Sequence, residues 1–444
     1  MSYALAWAPH QKGIVLDGFA GPGGWSEGIR RWLGLHDVGL EWDEAACQTR
    51  AAAGHATVRV DVSCFVLGPL VGRVWGLLMS PPCTKFSTAG KQFGMLVMDL
   101  LKDGIRRAMR GEDCRPELRE RIYPIALAEQ EAANVKREPE RQWSRSKMEA
   151  AARDDAFVTV LVLEPARYLW ALLNAVDPEV PFEWAAFEQV PGVLPLWEVY
   201  ALELRRFGWH VWTGVLNAAD YGVPQTRQRA VLIASAVRRV GPPAPTHGKH
   251  AQAEDLFGES RPQWVTMADA LGLVPTAIVN TRGERKTPGG NEFPVDGPSW
   301  ALTEKARSWI LHTNRNQQKD GSRQTIDPHS APAPALTSKS GGQWVLKHNA
   351  RANATVRTID EPAATLAFGH ARNEYEFTNG SDSRMLTVQE GSVLQSMPFD
   401  YPYQGTKTKV FEQIGNMVPG RFAAHVASAA SGVPFLQDAL TQAA

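Results

Sequence analysis

Cysteine is scarce. Only Cys47, Cys64, Cys83 and Cys114 occur in 444 residues, and no two of them form a Cys-x-x-Cys pair. That spacing supports neither a zinc ribbon nor a disulfide framework, so no metal site is expected and a reducing, intracellular compartment is. Net charge is missing too: 47 Lys and Arg balance 47 Asp and Glu. The balance argues against a polybasic coat for nucleic acid and leaves room for a local basic cleft. No apolar run of signal length lies between Met1 and Lys12, and none further on reads as long enough to span a bilayer. The expected location is therefore cytoplasmic, with no membrane partner. What is present, 44% hydrophobic and 21% charged residues, describes an ordinary globular chain of a length that suits two domains.

The chain is organised around Leu77-Leu78-Met79-Ser80-Pro81-Pro82-Cys83. The apolar run reads as a buried strand, and the prolines stop it because they offer no N–H to a ladder. Cys83 then falls at the carboxyl end of a strand, where α/β sheets build their sites. As a nucleophile it would need a base or a depressed pKa; otherwise it is a small buried hydrophobe.

Gly13 to Asp17 reads as the first strand, and Gly18-Phe19-Ala20-Gly21-Pro22-Gly23-Gly24 as a glycine turn, with Ser26 a candidate cap for the helix that follows. A plain structural turn and the front of a nucleotide site both fit. No Gly-Lys-Ser/Thr follows, which excludes a Walker loop, and Pro22 interrupts a nicotinamide fingerprint. Val38 to Leu40 reads as the second strand, ending in Glu41, placed to hold ribose hydroxyls, and Trp42, which either stacks on an adenine or packs in a core. The third strand, Val58 to Val60, ends in Asp61, placed to accept from an adenine amino group.

With these motifs in order, the chain resembles the DNA cytosine-5 methyltransferases. Asp17 to Gly24 is similar to that family's S-adenosylmethionine turn, with Gly18 for a usual leucine. Glu41-Trp42 and Asp61 match its ribose and adenine contacts. Pro81-Pro82-Cys83 with Phe86-Ser87 matches the nucleophile motif, with Ser80 for glycine and Thr84 for glutamine. Phe187-Glu188-Gln189-Val190 resembles a Glu-Asn-Val segment, and Gln225-Thr226-Arg227-Gln228-Arg229 is a full Gln-x-Arg-x-Arg. Thr387 to Glu390, Leu394 to Pro398 and Gly415-Asn416-Met417-Val418-Pro419 match the late motifs.

The resemblance implies an S-adenosylmethionine-dependent, Rossmann-like α/β fold: a mostly parallel sheet with helices on both faces, plus a smaller β-rich target-recognition domain. It implies cofactor contacts at Asp17, Phe19, Ala20, Gly21, Gly23, Gly24, Glu41, Trp42, Asp61, Pro81, Asn416 and Val418. The implied reaction is methylation of C5 of a cytosine swung out of duplex DNA. Cys83 would add to C6 of the ring, making C5 nucleophilic. Glu188, beside the buried-looking Trp184 to Phe187, would hydrogen-bond or protonate N3. Arg227 and Arg229, alternating on an expected strand from Gln225 to Ala234, would face the base or a phosphate. Thr84 to Gly94 reads as a lid with Gly90 and Gly94 as hinges, and Lys85 and Lys91 as phosphate contacts.

The expected domains are 1–239 (catalytic, with a charged helical insertion at about 102–155), 240–382 (target recognition) and 383–444 (return to the first domain). The insertion reads as a solvated hairpin with short helices at 116–121, 125–138 and 148–156, or as a clamp on DNA; Val158 to Leu173 reads as one amphipathic helix. Three weak repeats, at 295–303, 326–337 and 359–366, suggest a small β unit used three times. The clusters at 282–286 and 314–319 and a loop at 370–375 are candidate DNA contacts. The final helix, 421–430, should pack beside the glycine turn. A monomer on duplex DNA is expected, with a cognate restriction endonuclease as a candidate partner. Three other readings stand beside this one: a tRNA cytosine-5 methyltransferase, a catalytically silent DNA-binding relative, and a Rossmann dehydrogenase, which the Pro-Pro-Cys segment disfavours.

Overall fold

Short runs of Val, Leu, Ile and Ala, apolar at nearly every position, form the inner strands, which are covered on both faces, while the edge strands are partly exposed. The computed structural model describes residues 10–82, Phe86, 93–251, 260–271, Pro362 and 387–436, with short strands between 279 and 385. Its central strands are β1 (Ile14–Gly18), β2 (Asp37–Glu41), β3 (Ala56–Arg59), β4 (Val74–Met79), β5 (Trp184–Gln189) and β6 (His210–Asn217). After the two-residue β7 (Gln225–Thr226) comes β8 (Gln228–Ser235), and the seven-stranded order is β3-β2-β1-β4-β5-β8-β6. All neighbours are parallel except β8, which is antiparallel to β5 and β6. This is the mostly parallel α/β sheet that the motifs imply.

Alternate residues of each strand enter different cores. Leu16, Leu77, Met79, Ala185 and Phe187 pack on one side, under α4 (Met98–Ala108), α7 (Glu164–Leu173) and α8 (Leu194–Arg206). Val15, Leu78, Trp184, Ala186, Val231 and Ile233 pack on the other, under α1 (Gly24–Leu33) and α12 (Gly420–Ser431). The last helix lies directly on the first: a Cβ at Gly24 would stand 2.1 Å from the Val418 carbonyl oxygen, and one at Gly28 2.2 Å from that of Gly420. Only glycine permits that approach.

Several local expectations are corrected. Ser26 does not cap α1. Gly23, at φ 105°, is the cap, so the helix begins earlier and Ser26 is buried inside it. The strand expected from Gln225 to Ala234 breaks at Arg227, between β7 and β8. In the insertion, α5 (Arg115–Val135) runs unbroken through Pro124 and pairs with α6 (Arg145–Val160). Pro124 and Glu120, four residues before it, are both exposed, so the turn that loses a backbone bond faces outward. The hairpin is not wholly solvated either, because Leu118, Ile122, Ala126, Ala152, Ala156 and Val160 enter the core. The helix expected from Val158 to Leu173 is interrupted at Leu161–Leu163, and α7 begins at Glu164 with Pro165 in its first turn. Contrary to expectation, the run Arg145–Leu173 is long and apolar enough, by length and composition, to cross a bilayer; 67% of its apolar window is buried in the fold, as in a core helix.

Between 279 and 385 the described elements are strands. β9 (Val279–Asn280) and β10 (Glu292–Phe293) pair antiparallel. β11 (Val345–His348), β12 (Val356–Thr358), β14 (Tyr375–Asn379) and β15 (Asp382–Met385) form an antiparallel sheet in the order β12-β11-β14-β15. β13 (Ala363–Ala364), inside the third repeat, pairs parallel with β7 just before Arg227. The repeats at 295–303 and 326–337, the clusters at 282–286 and 314–319, and residues 370–374 lie outside the described residues. The chain resumes at α10 (Val388–Leu394), where Thr387 and Glu390 form a reciprocal capping box, a physical reason for that Thr-x-x-Glu spacing.

Candidate active site

The carboxyl edge of the sheet carries the glycine turn. Phe19 (φ 62°), Gly21 (φ 53°) and Gly23 (φ 105°) all sit in left-handed backbone, which reverses the chain within a few residues. Gly18 stands where Met79 Sδ would lie 2.2 Å from a Cβ, so the methionine fills the space of the larger residue usual there. Over Gly21 the space is open: an added Cβ would meet nothing within 4 Å. Glu41 faces this turn. Its carboxylate accepts from the backbone N–H groups of Gly21, Trp42 and Asp43, each at 2.8 Å. Trp42 is 73% exposed, which rules out the core-packing alternative. Asp61 is braced at one oxygen by Ser63 N–H (2.8 Å).

Asp17 is placed differently. It is fully buried beneath the turn, and neither carboxylate oxygen has a hydrogen-bond partner. Burial and the neighbouring Asp37 raise its pKa well above the usual carboxylate value, against the pull of Arg50 at 3.9 Å. Arg50 is itself fully buried. It pairs with Asp37 (3.0 Å) and donates to Ser26 Oγ (2.7 Å) and Thr57 Oγ1 (2.9 Å). Tyr401 donates to the Pro22 carbonyl (2.6 Å) and ties the late segment to the turn. Helix α2 (Glu44–Ala52) supplies Arg50, and α11 (Lys407–Asn416) ends in the exposed Asn416. Neither Arg50 nor Tyr401 was marked by a sequence motif.

Buried histidines give this region a pH signature. Burial pushes His55 and His425 each down to about 3. Their folded pKa lies below the unfolded one of about 6.5, so the stability they contribute is complete above pH 6.5 and is lost as pH falls toward 3. Asp17 acts in the opposite sense, its contribution fading as pH rises. At pH 5 each histidine should account for about 2 kcal/mol of lost stability. His425→Phe protein is therefore expected to lose about 2 kcal/mol less than wild type between pH 7.5 and 5 in urea unfolding; equal losses would refute the assignment.

Cys83, Thr84, Lys85, Ser87, Gly90 and Lys91 lie outside the described residues, but their flanks are pinned. Gln189 Nε2 donates to the Pro81 carbonyl (2.6 Å), and Val190 N–H donates to Gln189 Oε1 (2.5 Å). Trp25 Nε1 donates to Ser80 Oγ (2.9 Å), which gives Ser80 a role that glycine could not fill. The Phe86 ring packs on Gly94, where a Cβ would stand 2.4 Å away, and its carbonyl approaches Gly192. Gly94 is buried in α3 (Phe93–Leu96), so it serves close packing and is not a hinge. On either side of Cys83, Pro81 is thus bonded to Gln189 at the end of β5, which carries Glu188, and Phe86 lies against Gly192 in the turn that follows.

Glu188 is buried, and its Oε1 lies 2.8 Å from Arg229 Nε. Burial lowers the Arg229 pKa and Glu188 raises it, with burial the larger. Arg227 is also buried. Its Nη1 donates to the Gly415 carbonyl (3.0 Å), while its Nε has no partner. Burial, and then Arg229, pull its pKa well below the ordinary value. Gln225 and Gln395 donate to the Leu394 and Ile414 carbonyls, so the late motifs close on β7 and β8 from below. Val418 is buried with its backbone against Gly24. The edge therefore gathers an open glycine turn, two acidic residues with an exposed indole, the pinned residues Ser80 and Pro81 that precede Cys83, and a buried carboxylate–guanidinium pair. Among the described residues no group of His, Cys, Asp and Glu is placed to hold a metal.

The chain is 28% identical over 228 residues to type II methyltransferase M1.HphI of Haemophilus parahaemolyticus, covering 51% of this chain and 49% of that protein. It is 25% identical over 290 residues to type II methyltransferase M.NgoFVII of Neisseria gonorrhoeae, covering 60% and 63%. It thus spans about half to just under two thirds of the length of these curated relatives. The solved structure of S. pombe Dnmt2 methyltransferase aligns at 12% identity over 94% of this chain and 97% of that one, with a TM-score of 0.42. Residues 14–98 and 187–431 match the model of the C-5 cytosine-specific DNA methylases; the stretch between them, 99–186, holds most of α4, the α5–α6 hairpin and α7. The matched segments hold every motif of the carboxyl edge and most of the chain, and the protein belongs to the C-5 cytosine-specific DNA methylase family.

Proposed function

We propose that this chain methylates C5 of cytosine in duplex DNA through a covalent bond between Cys83 and C6 of the ring. The observation that carries the reading is that Pro81 and Phe86, on both sides of Cys83, meet the end of β5 and the turn after it, where Glu188 pairs with Arg229 of β8. The relatives named as type II methyltransferases support DNA as substrate and a restriction endonuclease as companion. Residues 240–382 are the part of the chain that would read the sequence.

S-adenosylmethionine fits the glycine edge: the space over Gly21 is open, Glu41 and Asp61 offer carboxylates, and Trp42 offers a free indole face. Phe19, Ala20, Gly23, Gly24, Pro81 and Val418 would shape the pocket, with Asn416 at its rim and Asp17 supporting the turn from beneath. When bound, this cofactor supplies the methyl group that C5 takes up. The reacting cytosine must leave the stack to reach the edge. The Cys83 thiolate then forms the S–C6 bond and pushes the electron pair of the C5–C6 double bond onto C5. Glu188, acting as the carboxylic acid, donates its proton to N3 and so offsets the negative charge that builds on the ring. Arg229 orients the Glu188 carboxyl group, and the unpartnered Nε of Arg227 is a donor for the base or its phosphate. A base or a water takes the C5 proton, and the electron pair of that C–H bond restores the C5–C6 double bond as the C6–S bond breaks and the thiolate leaves.

Bisulfite sequencing of DNA from cells expressing the protein tests the reading: 5-methylcytosine at a recurring sequence is expected, and its absence with well-expressed protein would refute it. Methylated tRNA with unmodified DNA would instead favour the tRNA reading. Glu188→Gln is expected to lower single-turnover methyl transfer more than about tenfold, a loss of roughly 1.4 kcal/mol or more. Tyr401→Phe, which frees the Pro22 carbonyl, is expected to raise the cofactor's KM several-fold with kcat little changed; calorimetric titration would check the affinity.

A further inference from the structure

The α5–α6 hairpin lies in residues 99–186, which the family match leaves out, and its base is fixed beside the cofactor edge. Arg115 Nη1 donates to the Ser63 carbonyl and to Glu164, both at 2.8 Å. Arg167 donates to the carbonyls of Val62 (2.6 Å) and Phe65 (2.9 Å). The loop that follows β3 and bears Asp61 is therefore tied to the foot of the hairpin. From there α5 runs for 21 residues, about 30 Å at 1.5 Å per residue, toward an exposed tip at 135–147.

The tip is built and cationic. Asn134 Oδ1 accepts from Trp143 N–H (2.7 Å), and its Nδ2 donates to the Trp143 carbonyl (3.1 Å), closing the turn. The Trp143 ring then holds two cations, the Arg137 guanidinium at 3.8 Å and the Lys147 ammonium at 4.6 Å from its centroid. Lys136 and Arg141 stand exposed beside them. Of the other arginines of the hairpin, Arg115, Arg121 and Arg145 are paired with carboxylates, and Arg119 and Arg153 lie over the Phe157 and Tyr123 rings. Among the described residues, Lys136, Arg137, Arg141 and Lys147 have no such partner, although Glu138 and Glu140 are their exposed neighbours. Like charges gathered on one ring repel each other, and a polyanion relieves that repulsion.

We propose that this tip is a docking surface for the sugar-phosphate backbone of duplex DNA, away from the reacting cytosine. The proposal rests on the reading of the chain as a DNA methyltransferase. Each phosphate neutralised contributes about 0.9 to the slope of log affinity against log salt. The test measures binding of the full chain to a duplex of scrambled sequence between about 50 and 200 mM salt. The K136E/R141E/K147E protein is expected to bind at least about tenfold more weakly at the lowest salt, with a slope shallower by about two to three. A K136Q/R141Q/K147Q protein should fall between it and wild type, and unchanged cofactor affinity would show that both variants are folded. An unchanged slope and affinity in folded variants would overturn the proposal and leave the tip to a protein partner. Methyl transfer by the wild type, assayed in parallel on genomic DNA, separates the two claims: its absence would count against the function, while an unaltered slope beside it counts against the docking surface alone.

Discussion

Cys83→Ser protein is expected to bind S-adenosylmethionine with wild-type affinity and to transfer no measurable methyl group to DNA. A serine hydroxyl at neutral pH is almost wholly protonated, whereas a thiol has an appreciable thiolate fraction and is intrinsically more nucleophilic. Without the S–C6 bond, C5 stays part of a deactivated aromatic ring. Loss of a nucleophile that acts as part of a unit costs far more than loss of a supporting group, so a fall of more than about 10³-fold in single-turnover rate is expected. Cofactor binding should survive, because the glycine turn, Glu41 and Asp61 are held by bonds that do not involve position 83. Radiolabel transfer read beside a cofactor titration checks both halves. Wild-type turnover by this variant would end the covalent account.

Arg50→Ala is expected to cost about 3–5 kcal/mol in urea unfolding, the range for removing one partner of a buried ion pair. Arg50 is the only cation in contact with Asp17 and Asp37 among the described residues, and all three are buried. Its removal would leave two carboxylates facing each other without a counter-charge, and would empty a space that Gly39 keeps open, since a Cβ there would stand 2.1 Å from the guanidinium. Asp17→Asn added to Arg50→Ala should restore part of the loss by removing one of the two facing acidic groups. A cost under about 1 kcal/mol would mean that the network does not support the glycine turn.

Much of this was legible from local chemistry. Glycine, proline and acidic residues at strand ends mark their positions because few other residues tolerate that backbone or offer those groups, so the first four strands and their terminal residues could be placed from the chain alone. Phe187-Glu188 was readable for the same reason: a carboxylate at the end of an apolar run is costly to bury without a purpose. What escaped were features set by partners distant in sequence. Ser26 reads as a cap until Gly23 takes that role and Arg50, from α2, claims its hydroxyl. Tyr401 reaches Pro22 across 379 positions, and nothing local announces that bond. Gly94 looks like a hinge until Phe86 is seen against it. Pro124 reads as a break until its place on an exposed face of an unbroken α5 is seen. The charged insertion reads as solvated because its polar residues outnumber the few small apolar ones that reach the core.

The covalent step is tested most directly by a substrate that cannot complete it. Once bisulfite sequencing has located the target, duplex DNA is made with 5-fluorocytosine at that position and incubated with the full chain and S-adenosylmethionine. Fluorine on C5 cannot leave as a proton does, so the elimination that frees the thiol is blocked. The predicted result is a denaturation-resistant protein–DNA adduct that maps by mass spectrometry to the sulfur of Cys83. Protein that methylates ordinary cytosine in the same duplex yet forms no adduct at Cys83 would contradict it.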